Sequence, residues 1–131
     1  MTPLFESCCN HPLPALDLLR AGRFALVMEF GDPQNPADAP VLAAYSPHNV
    51  RDASYPAVLL DAGENDPRCP PWHARKMAAR LQSATRSGHP VLLRVWKEAG
   101  HVGSSKTMLI DQSADWLAFV MRELGMAPAN R

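Results

Sequence analysis

Short apolar runs alternate with a helical stripe in the second half of the chain. The run at 57–61 (AVLLD) follows a proline and predicts a fully buried parallel strand, and the run at 91–95 (VLLRV) predicts a second one. Between them, residues 72–86 place apolar side chains on one side and arginines on the other, which predicts a helix that Pro70 and Pro71 introduce. The strand starts lie about 34 residues apart, so the segments together predict a right-handed βαβ crossover.

A longer apolar stripe follows over residues 106–124. Its members recur at alternating spacings of four and three: Ile110, Ala114, Leu117, Met121 and Leu124. This spacing predicts an amphipathic helix. Trp116, Phe119 and Val120 widen the stripe, so we expect the helix to be heavily buried. The fold class is therefore α/β, with two strands that the pattern predicts clearly.

The first half of the chain is rich in prolines and predicts less regular structure. Its segments are, in order, an irregular stretch at 1–13, a short helix at 14–22, an apolar run at 24–30, a loop at 31–40, a helical turn at 41–45 and a loop at 46–56. The apolar run fits a strand or a helix equally well, and the pattern leaves both open. A stable parallel sheet normally has more than two strands.

Composition narrows the class of protein. The chain has 131 residues, enough for one domain, and 47% of them are apolar. Thirteen Lys and Arg residues balance thirteen Asp and Glu residues, so bulk charge gives no attraction for nucleic acid or an anionic membrane. No apolar run approaches the roughly 20 residues that a membrane helix needs, and the N-terminus shows no signal peptide. We expect a cytoplasmic protein, with the periplasm as the alternative.

The cysteines and histidines predict neither disulfides nor a metal site. Cys8 and Cys9 are adjacent and Cys69 is the third cysteine, and an odd count with an adjacent pair is not a disulfide framework. Four histidines are scattered without the spacing of metal ligands: His11, His48, His73 and His89. We therefore expect no metal and no cofactor.

An acid and a histidine follow the two predicted strands. Asp66 lies in the loop after the first strand, and His101 lies in the loop after the second. Because ligands bind beyond the carboxyl ends of parallel strands, we expect both side chains at one functional edge of the sheet. A carboxylate that orients an imidazole is two thirds of a hydrolase triad, and the order acid then histidine matches that of α/β-hydrolases. Asp61, at the end of the first strand, is the alternative acid.

The third member of such a triad, the nucleophile, is missing from the pattern. The chain has eight serines, and none lies in GxSxG or in another glycine-flanked turn between a strand and a helix. Cys69 follows the acid in the chain and no such turn surrounds it, so we do not expect it to act as the nucleophile.

Five segments carry a resemblance to a known family: EFGDP (29–33), YSPHNV (45–50), YPAVLL (55–60), GENDPRCPP (63–71) and AGHVG (99–103). Over residues 15 to about 124 the chain resembles the C-terminal part of the prolyl oligopeptidase family of serine peptidases. The resemblance implies a partial α/β-hydrolase fold, with the C-terminal βαβ unit and the final helix but without the nucleophile elbow and the β-propeller. It implies an irregular N-terminal segment at 1–14, a catalytic-domain part at 15–126 and a tail at 127–131.

The resemblance also implies roles for single residues. Asp66 and His101 match the aspartate and the histidine of the family's triad, and Arg68 matches an arginine that binds a peptide carbonyl of the substrate. Two departures matter most. Pro67 stands where the family has a second aspartate, and Leu26 stands where it has a tryptophan that stacks on the substrate proline, so a preference for proline stays open.

The function implied by the resemblance is that of a serine-type peptidase that hydrolyses short peptides without a cofactor. Because the family's nucleophile lies in a GGSxGG turn upstream of every matched segment, we expect this chain alone to be inactive and to be a gene fragment or part of a longer protein. The alternative is a non-catalytic fragment that associates with a partner, or with itself, through an open sheet edge. A small α/β-hydrolase of the dienelactone type is a third interpretation, which would need a nucleophile that the chain does not show.

Overall fold

The computed structural model describes residues 4–7, 27, 28, 30–44, 46, 49–101 and 105–126. These residues form three strands and three helices: β1 (Leu4–Ser7), α1 (Ala39–Ala44), β2 (Val58–Gly63), α2 (Trp72–Ala84), β3 (Val91–Trp96) and α3 (Lys106–Glu123). The predicted strands, the helix between them and the final helix are confirmed, with bounds that differ by at most two residues. The fold class is α/β, as the pattern indicates.

The strands form one parallel sheet in the order β1-β2-β3. Strand β2 pairs with β3 from Val58↔Val91 to Gly63↔Trp96, so the two strands are in register over six residues and end side by side. All six residues of β2 are buried, which is the pattern of a central parallel strand covered on both faces. The loops that follow β2 and β3 therefore leave the same edge of the sheet.

For residues 4–7, strand β1 differs from the expectation of an irregular N-terminal segment. Its four residues pair in parallel with β2, from Leu4↔Val58 to Ser7↔Asp61. The letters LFES show no clear strand pattern, but β2 offers hydrogen-bonding groups on the side away from β3, and a short neighbour can use them. Strand formation here depends on a partner more than 50 residues away in the chain, which local sequence cannot reveal.

The side chains of β2 alternate between two apolar clusters. On one face, its residues pack with the buried side of α2 in a cluster of Val58, Leu60, Ala62, Ala74, Met77, Ala78, Leu81 and Val91. On the other face, Ala57 and Leu59 pack against Phe119 of α3, with Trp116 and Val120 beside them. Because successive residues of a strand point to opposite faces, β2 holds one helix on each side.

Helix α3 is less buried than its sequence pattern predicts. Of its residues only Phe119 is buried, whereas Ile110 is 67% exposed, Leu117 is 62% exposed and Leu124, just after the helix, is 52% exposed. The expectation of a heavily buried helix is therefore wrong. The helix turns Trp116, Phe119 and Val120 toward the sheet. Four members of the stripe, Ile110, Ala114, Leu117 and Leu124, are exposed, and Met121 is partly buried.

Several predictions for the first half of the chain can be compared with the structure. Residues 27, 28 and 30 are helical, which decides the open choice at 24–30 for the described part of that run. Helix α1 confirms the helical turn expected near 41–45. The helix predicted at 14–22, Leu26 and the tail at 127–131 lie outside the described residues. Among the described residues, no helix combines the length and the apolar character that crossing a bilayer requires.

Candidate active site

The carboxylate of Asp66 is oriented by the turn in which it lies. This turn follows β2, and the Oδ1 atom of Asp66 accepts hydrogen bonds of 2.8 Å from the backbone N–H groups of Arg68 and Cys69. An aspartate that accepts bonds from the backbone two and three residues ahead stabilises a tight turn. Asp66 is only 4% exposed, so its second oxygen is held in one direction.

The second oxygen of Asp66, Oδ2, forms a hydrogen bond with His101. Asp66 Oδ2 lies 2.9 Å from His101 Nδ1, and 26% of the histidine side chain is exposed against 1% of the aspartate side chain. A carboxylate accepts hydrogen bonds, so the imidazole carries its proton on Nδ1 and leaves Nε2 as the basic nitrogen. The structure thus brings together the two residues that the sequence predicts at the strand ends.

The hydrogen bonds that Asp66 accepts favour the ionised form of its carboxyl group. Burial raises the pKa of Asp66, but hydrogen bonds from the Cys69 N–H, His101 and the Arg68 N–H act in the opposite direction, and the pKa lies below its ordinary value. Asp66 is therefore ionised at neutral pH. An ionised carboxylate at this position can stabilise a protonated His101.

The loops that carry Asp66 and His101 lie directly against each other. Asn65 donates its backbone N–H to Ala99 O at 3.0 Å and its side-chain amide to Lys97 O at 2.8 Å. Gly63 lies next to this contact, beside the backbone of Ala99 and Gly100. A Cβ atom added there would lie 2.4 Å from Gly100 O and 2.6 Å from Ala99 O, distances that real Cβ atoms essentially never show. The close approach of the two loops thus requires glycine at position 63.

Sequence reasoning missed the role of Gly63. The only signal was its place, directly after an apolar strand and three residues before the predicted acid. A glycine at the end of a strand often marks a point where another segment of backbone comes close.

Asp61, the alternative acid, has a different set of partners. Its Oδ2 atom accepts hydrogen bonds from the indole N–H groups of Trp96, at 3.2 Å, and Trp116, at 2.8 Å. Burial raises the pKa of Asp61 above its ordinary value, against the effect of the two indole hydrogen bonds. Because Trp96 ends β3 and Trp116 lies on α3, Asp61 joins the helix to the sheet, and the partner of His101 is Asp66.

Comparison with known proteins assigns the family. The sequence model of the Prolyl oligopeptidase family matches residues 16–127, which is most of the chain. The chain belongs to the prolyl oligopeptidase family. It is 35% identical over 124 residues to prolyl oligopeptidase A of Amanita bisporigera, covering 88% of this chain and 16% of that protein. It is 32% identical over 119 residues to the prolyl endopeptidase of Elizabethkingia miricola, covering 85% of this chain and 17% of that protein.

Solved structures of the prolyl oligopeptidase family agree with the fold. A prolyl endopeptidase structure superposes with a TM-score of 0.79 at 32% identity, covering 94% of this chain and 18% of the other. Prolyl oligopeptidase B of Galerina marginata, bound to a 35-residue hydrolysis and macrocyclization substrate, gives a TM-score of 0.71 at 32% identity, covering 79% of this chain and 15% of the other. The chain thus spans less than a fifth of the length of the relatives that it matches.

Arg68 lies two residues after Asp66 on the same turn, and it is exposed. Glu64, which lies in the same loop, forms an ion pair with Arg75. The backbone N–H of Arg68 helps to orient Asp66, which sequence reasoning did not foresee. Its role in binding substrate stays a prediction.

Cys69 is closer to the acid and the histidine than its place in the sequence suggested. Its Sγ atom, a carboxylate oxygen of Asp66 and a ring nitrogen of His101 all lie within 4.8 Å of one another. Asp66 and Cys69 are buried, whereas His101 is partly exposed. A thiol, a carboxylate and an imidazole are thus grouped at one end of the sheet.

Proposed function

We propose that this chain supplies the acid and the base of a serine peptidase site. The observation that supports the proposal is the 2.9 Å hydrogen bond between Asp66 Oδ2 and His101 Nδ1 in a chain of the prolyl oligopeptidase family. The site becomes complete when a serine from a segment outside the matched residues lies beside His101. The reaction is hydrolysis of a peptide bond in a short peptide, without a cofactor.

His101 transfers one proton in two steps, and Asp66 supports it in both. His101 takes the proton of the serine hydroxyl on Nε2 as the hydroxyl oxygen attacks the peptide carbonyl, and it then gives this proton to the leaving amine. Asp66 keeps the proton on Nδ1 in place and stabilises the imidazolium that forms between the two steps. The lowered pKa of Asp66 suits this role, because the carboxylate must stay charged throughout.

Arg68 is proposed to hold the substrate. It lies on the same turn as Asp66 and is exposed, so its guanidinium can reach a peptide that lies across the site. A guanidinium offers several N–H donors in one plane, which suits the carbonyl oxygen of a peptide. Replacing Arg68 with Ala in a complete enzyme is expected to raise KM more than it lowers kcat.

The residue preferred before the cleaved bond is a separate question. Leu26 replaces the tryptophan that stacks on proline in the family, and an aliphatic side chain offers no flat face for a proline ring. We propose a weaker preference for proline over other small residues. Rates on paired Gly-Pro and Gly-Ala amides in a complete enzyme would measure it.

The chain alone is expected to show no peptidase activity, because none of its eight serines lies in a nucleophile turn. Incubation of the 131-residue chain with a chromogenic Gly-Pro amide tests this. Turnover that His101→Ala abolishes would refute the expectation. Reading the genomic DNA just upstream tests where the serine comes from; a separate promoter there and no GGSxGG in any frame would count against a split or longer gene.

A chimera tests the proposed roles directly. In this chimera, residues 16–127 replace the matching segment of the Elizabethkingia miricola prolyl endopeptidase, which supplies the rest of the enzyme. His101→Ala is expected to lower kcat by a factor of about 10³ or more, and Asp66→Asn by about 10⁴ at most, since both remove the base or its orientation. His89→Ala, at an exposed histidine outside the site, is the matched control. A folded chimera whose activity survives His101→Ala would overturn the proposal.

A second candidate function is association without catalysis. The exposed apolar stripe of α3, at Ile110, Leu117 and Leu124, is the observation that favours it. Exposed apolar patches of this kind mark interaction surfaces. We propose self-association through this stripe for the isolated chain. Size-exclusion chromatography should then give a larger species that Ile110→Lys with Leu117→Lys reduces to a monomer; a monomeric parent chain would count against this function.

A further inference from the structure

Asp66, Cys69 and His101 form a group with the chemistry of a zinc site. Their three ligand atoms lie within 4.8 Å of one another, and no other group of three or more such residues meets that limit among the described residues. Zinc prefers sulfur, imidazole nitrogen and carboxylate oxygen, whereas Mg²⁺ and Ca²⁺ prefer oxygen alone. The three donors here, one of each kind, therefore favour a transition metal such as zinc.

The distances suit one ion after a small adjustment. Zinc binds sulfur at about 2.3 Å and nitrogen or oxygen at about 2.0–2.2 Å, so ligand atoms around one tetrahedral ion lie about 3.3–3.6 Å apart. The widest separation, at most 4.8 Å, thus has to shrink by no more than about 1.5 Å, while the 2.9 Å between Asp66 Oδ2 and His101 Nδ1 has to widen by about 0.5 Å. The proposal requires Sγ of Cys69 to make this movement by a change in its one side-chain torsion, without movement of the backbone.

The surroundings of the three residues support binding by the side chains as they are placed. The backbone N–H groups of Arg68 and Cys69 hold Oδ1 of Asp66, whereas Oδ2 faces His101 Nδ1 at 2.9 Å, so a metal bound between these two atoms would replace their hydrogen bond. Outer hydrogen bonds such as those from the two N–H groups orient carboxylate ligands in metal sites. His101 is the most exposed of the three. A zinc ion with three protein ligands takes a water as its fourth ligand, and we expect that water on the side of His101.

We propose that Asp66 Oδ2, Cys69 Sγ and His101 Nδ1 bind one Zn²⁺ ion, and that this ion switches off the acid and base of the site. On binding, the thiol of Cys69 releases its proton to solvent, and the imidazole proton moves from Nδ1 to Nε2. His101 Nε2 then carries a proton and cannot accept one from a serine. The binding stands on the geometry alone, whereas the inhibition rests on the proposed function.

The binding test uses the full chain with Cys8→Ser and Cys9→Ser, so that Cys69 is the only thiol. Zinc affinity is measured by competition with a chromophoric chelator, and Co²⁺ serves as a spectroscopic probe that gains a thiolate charge-transfer band when sulfur binds. We expect one zinc per chain and a cobalt thiolate band. Both His101→Ala and Cys69→Ser should weaken zinc binding at least tenfold, whereas His89→Ala should leave it unchanged.

Two results would overturn the binding proposal. One is a parent chain that binds no stoichiometric zinc; the other is a His101→Ala chain, shown by circular dichroism to be folded, that binds as tightly as the parent. If His101→Ala does not fold, His101→Gln replaces it, because an amide keeps the polarity but is a poor zinc ligand. The cobalt band must also shift in that variant if the histidine shares the ion.

Inhibition is measured in the chimera, as the rate with zinc relative to each variant's own rate without it. Zinc should lower the rate of the chimera reversibly, and a chelator should restore it. With Cys69→Val the fractional loss at the same zinc concentration should be at least tenfold smaller. A chimera that is folded by circular dichroism but inactive, alongside intact zinc binding, would refute the proposed function and leave the metal site standing. An active chimera that zinc inhibits equally with Cys69→Val would refute the switch.

Discussion

Gly63→Ala is expected to separate Asp66 from His101 without changing either residue. The added Cβ atom would lie 2.4 Å from Gly100 O, and ordinary contact begins at 3.4 Å, so the two loops must move apart by about 1.0 Å. Both close contacts are backbone oxygens, which cannot rotate away as a flexible side chain can. The substitution therefore acts on the distance between the loops that carry Asp66 and His101.

The size of the effect follows from the hydrogen bond that the loops support. If the histidine loop takes the whole movement, the distance from Asp66 Oδ2 to His101 Nδ1 grows from 2.9 Å toward about 3.9 Å, beyond hydrogen-bond range. We expect a loss of about 1–3 kcal/mol in the free energy of unfolding, typical of forced overpacking. In the chimera, kcat should fall about 10²-fold, since a misplacement of about 1 Å is enough for that loss.

Two glycines provide matched controls. Gly88→Ala adds a methyl group with nothing within 4 Å, and Gly100→Ala places one 4.0 Å from Asn65 O, an ordinary contact. Urea unfolding of all three variants gives the stability change, and the chimera gives kcat. If Gly63→Ala and Gly88→Ala instead agree within about 0.5 kcal/mol in the free energy of unfolding and within a factor of two in kcat, the two loops separate at little cost, and position 63 does not require glycine.

Three further predictions concern the two carboxylates. Trp116→Phe removes the 2.8 Å indole hydrogen bond to Asp61, and we expect it to lower the free energy of unfolding in urea by about 1.5–3 kcal/mol. The loss should be smaller in an Asp61→Asn background, and equal losses in both backgrounds would contradict the contact. Because the pKa of Asp66 is lowered in the fold, its contribution to stability is present above the ordinary value of 3.8 and is lost as the pH falls through the lower folded pKa, so Asp66→Asn should flatten the acid limb of a stability–pH curve. Because the pKa of Asp61 is raised, its contribution has the opposite sign: it is present below 3.8 and lost as the pH rises through the higher folded pKa, so Asp61→Asn should make the chain relatively more stable above that window. Identical pH profiles for the two Asn variants would contradict both signs.

The elements around the site could be predicted because their signals are local. The apolar runs of β2 and β3 and the helical spacing between them are contained in the segments themselves, and the parallel-sheet rule then places Asp66 and His101 at one edge. Strand β1 could not be predicted, since its four residues gain their structure from pairing with β2.

Other features depend on how separate segments meet. The stripe of α3 was predicted correctly as a stripe, but which side of the helix faces the sheet is decided by the fit of Trp116, Phe119 and Val120 against Ala57 and Leu59. The role of Gly63 and the grouping of Cys69 with Asp66 and His101 were missed for the same reason. Both depend on the approach of the loop after β3, and the place of Gly63 at the end of an apolar strand is a weak local signal for it.

The double hydrogen bond to Asp61 gives the protein an intrinsic optical probe. The chain has three tryptophans, and two of them, Trp96 and Trp116, donate to the same carboxylate oxygen where β2, β3 and α3 join. The third, Trp72, begins α2, where it stacks on His73. The fluorescence of a Trp72→Phe chain therefore reports on the contact of α3 with β2 and β3. A change in emission that precedes the loss of circular dichroism would show that α3 separates from the sheet before the rest of the protein unfolds.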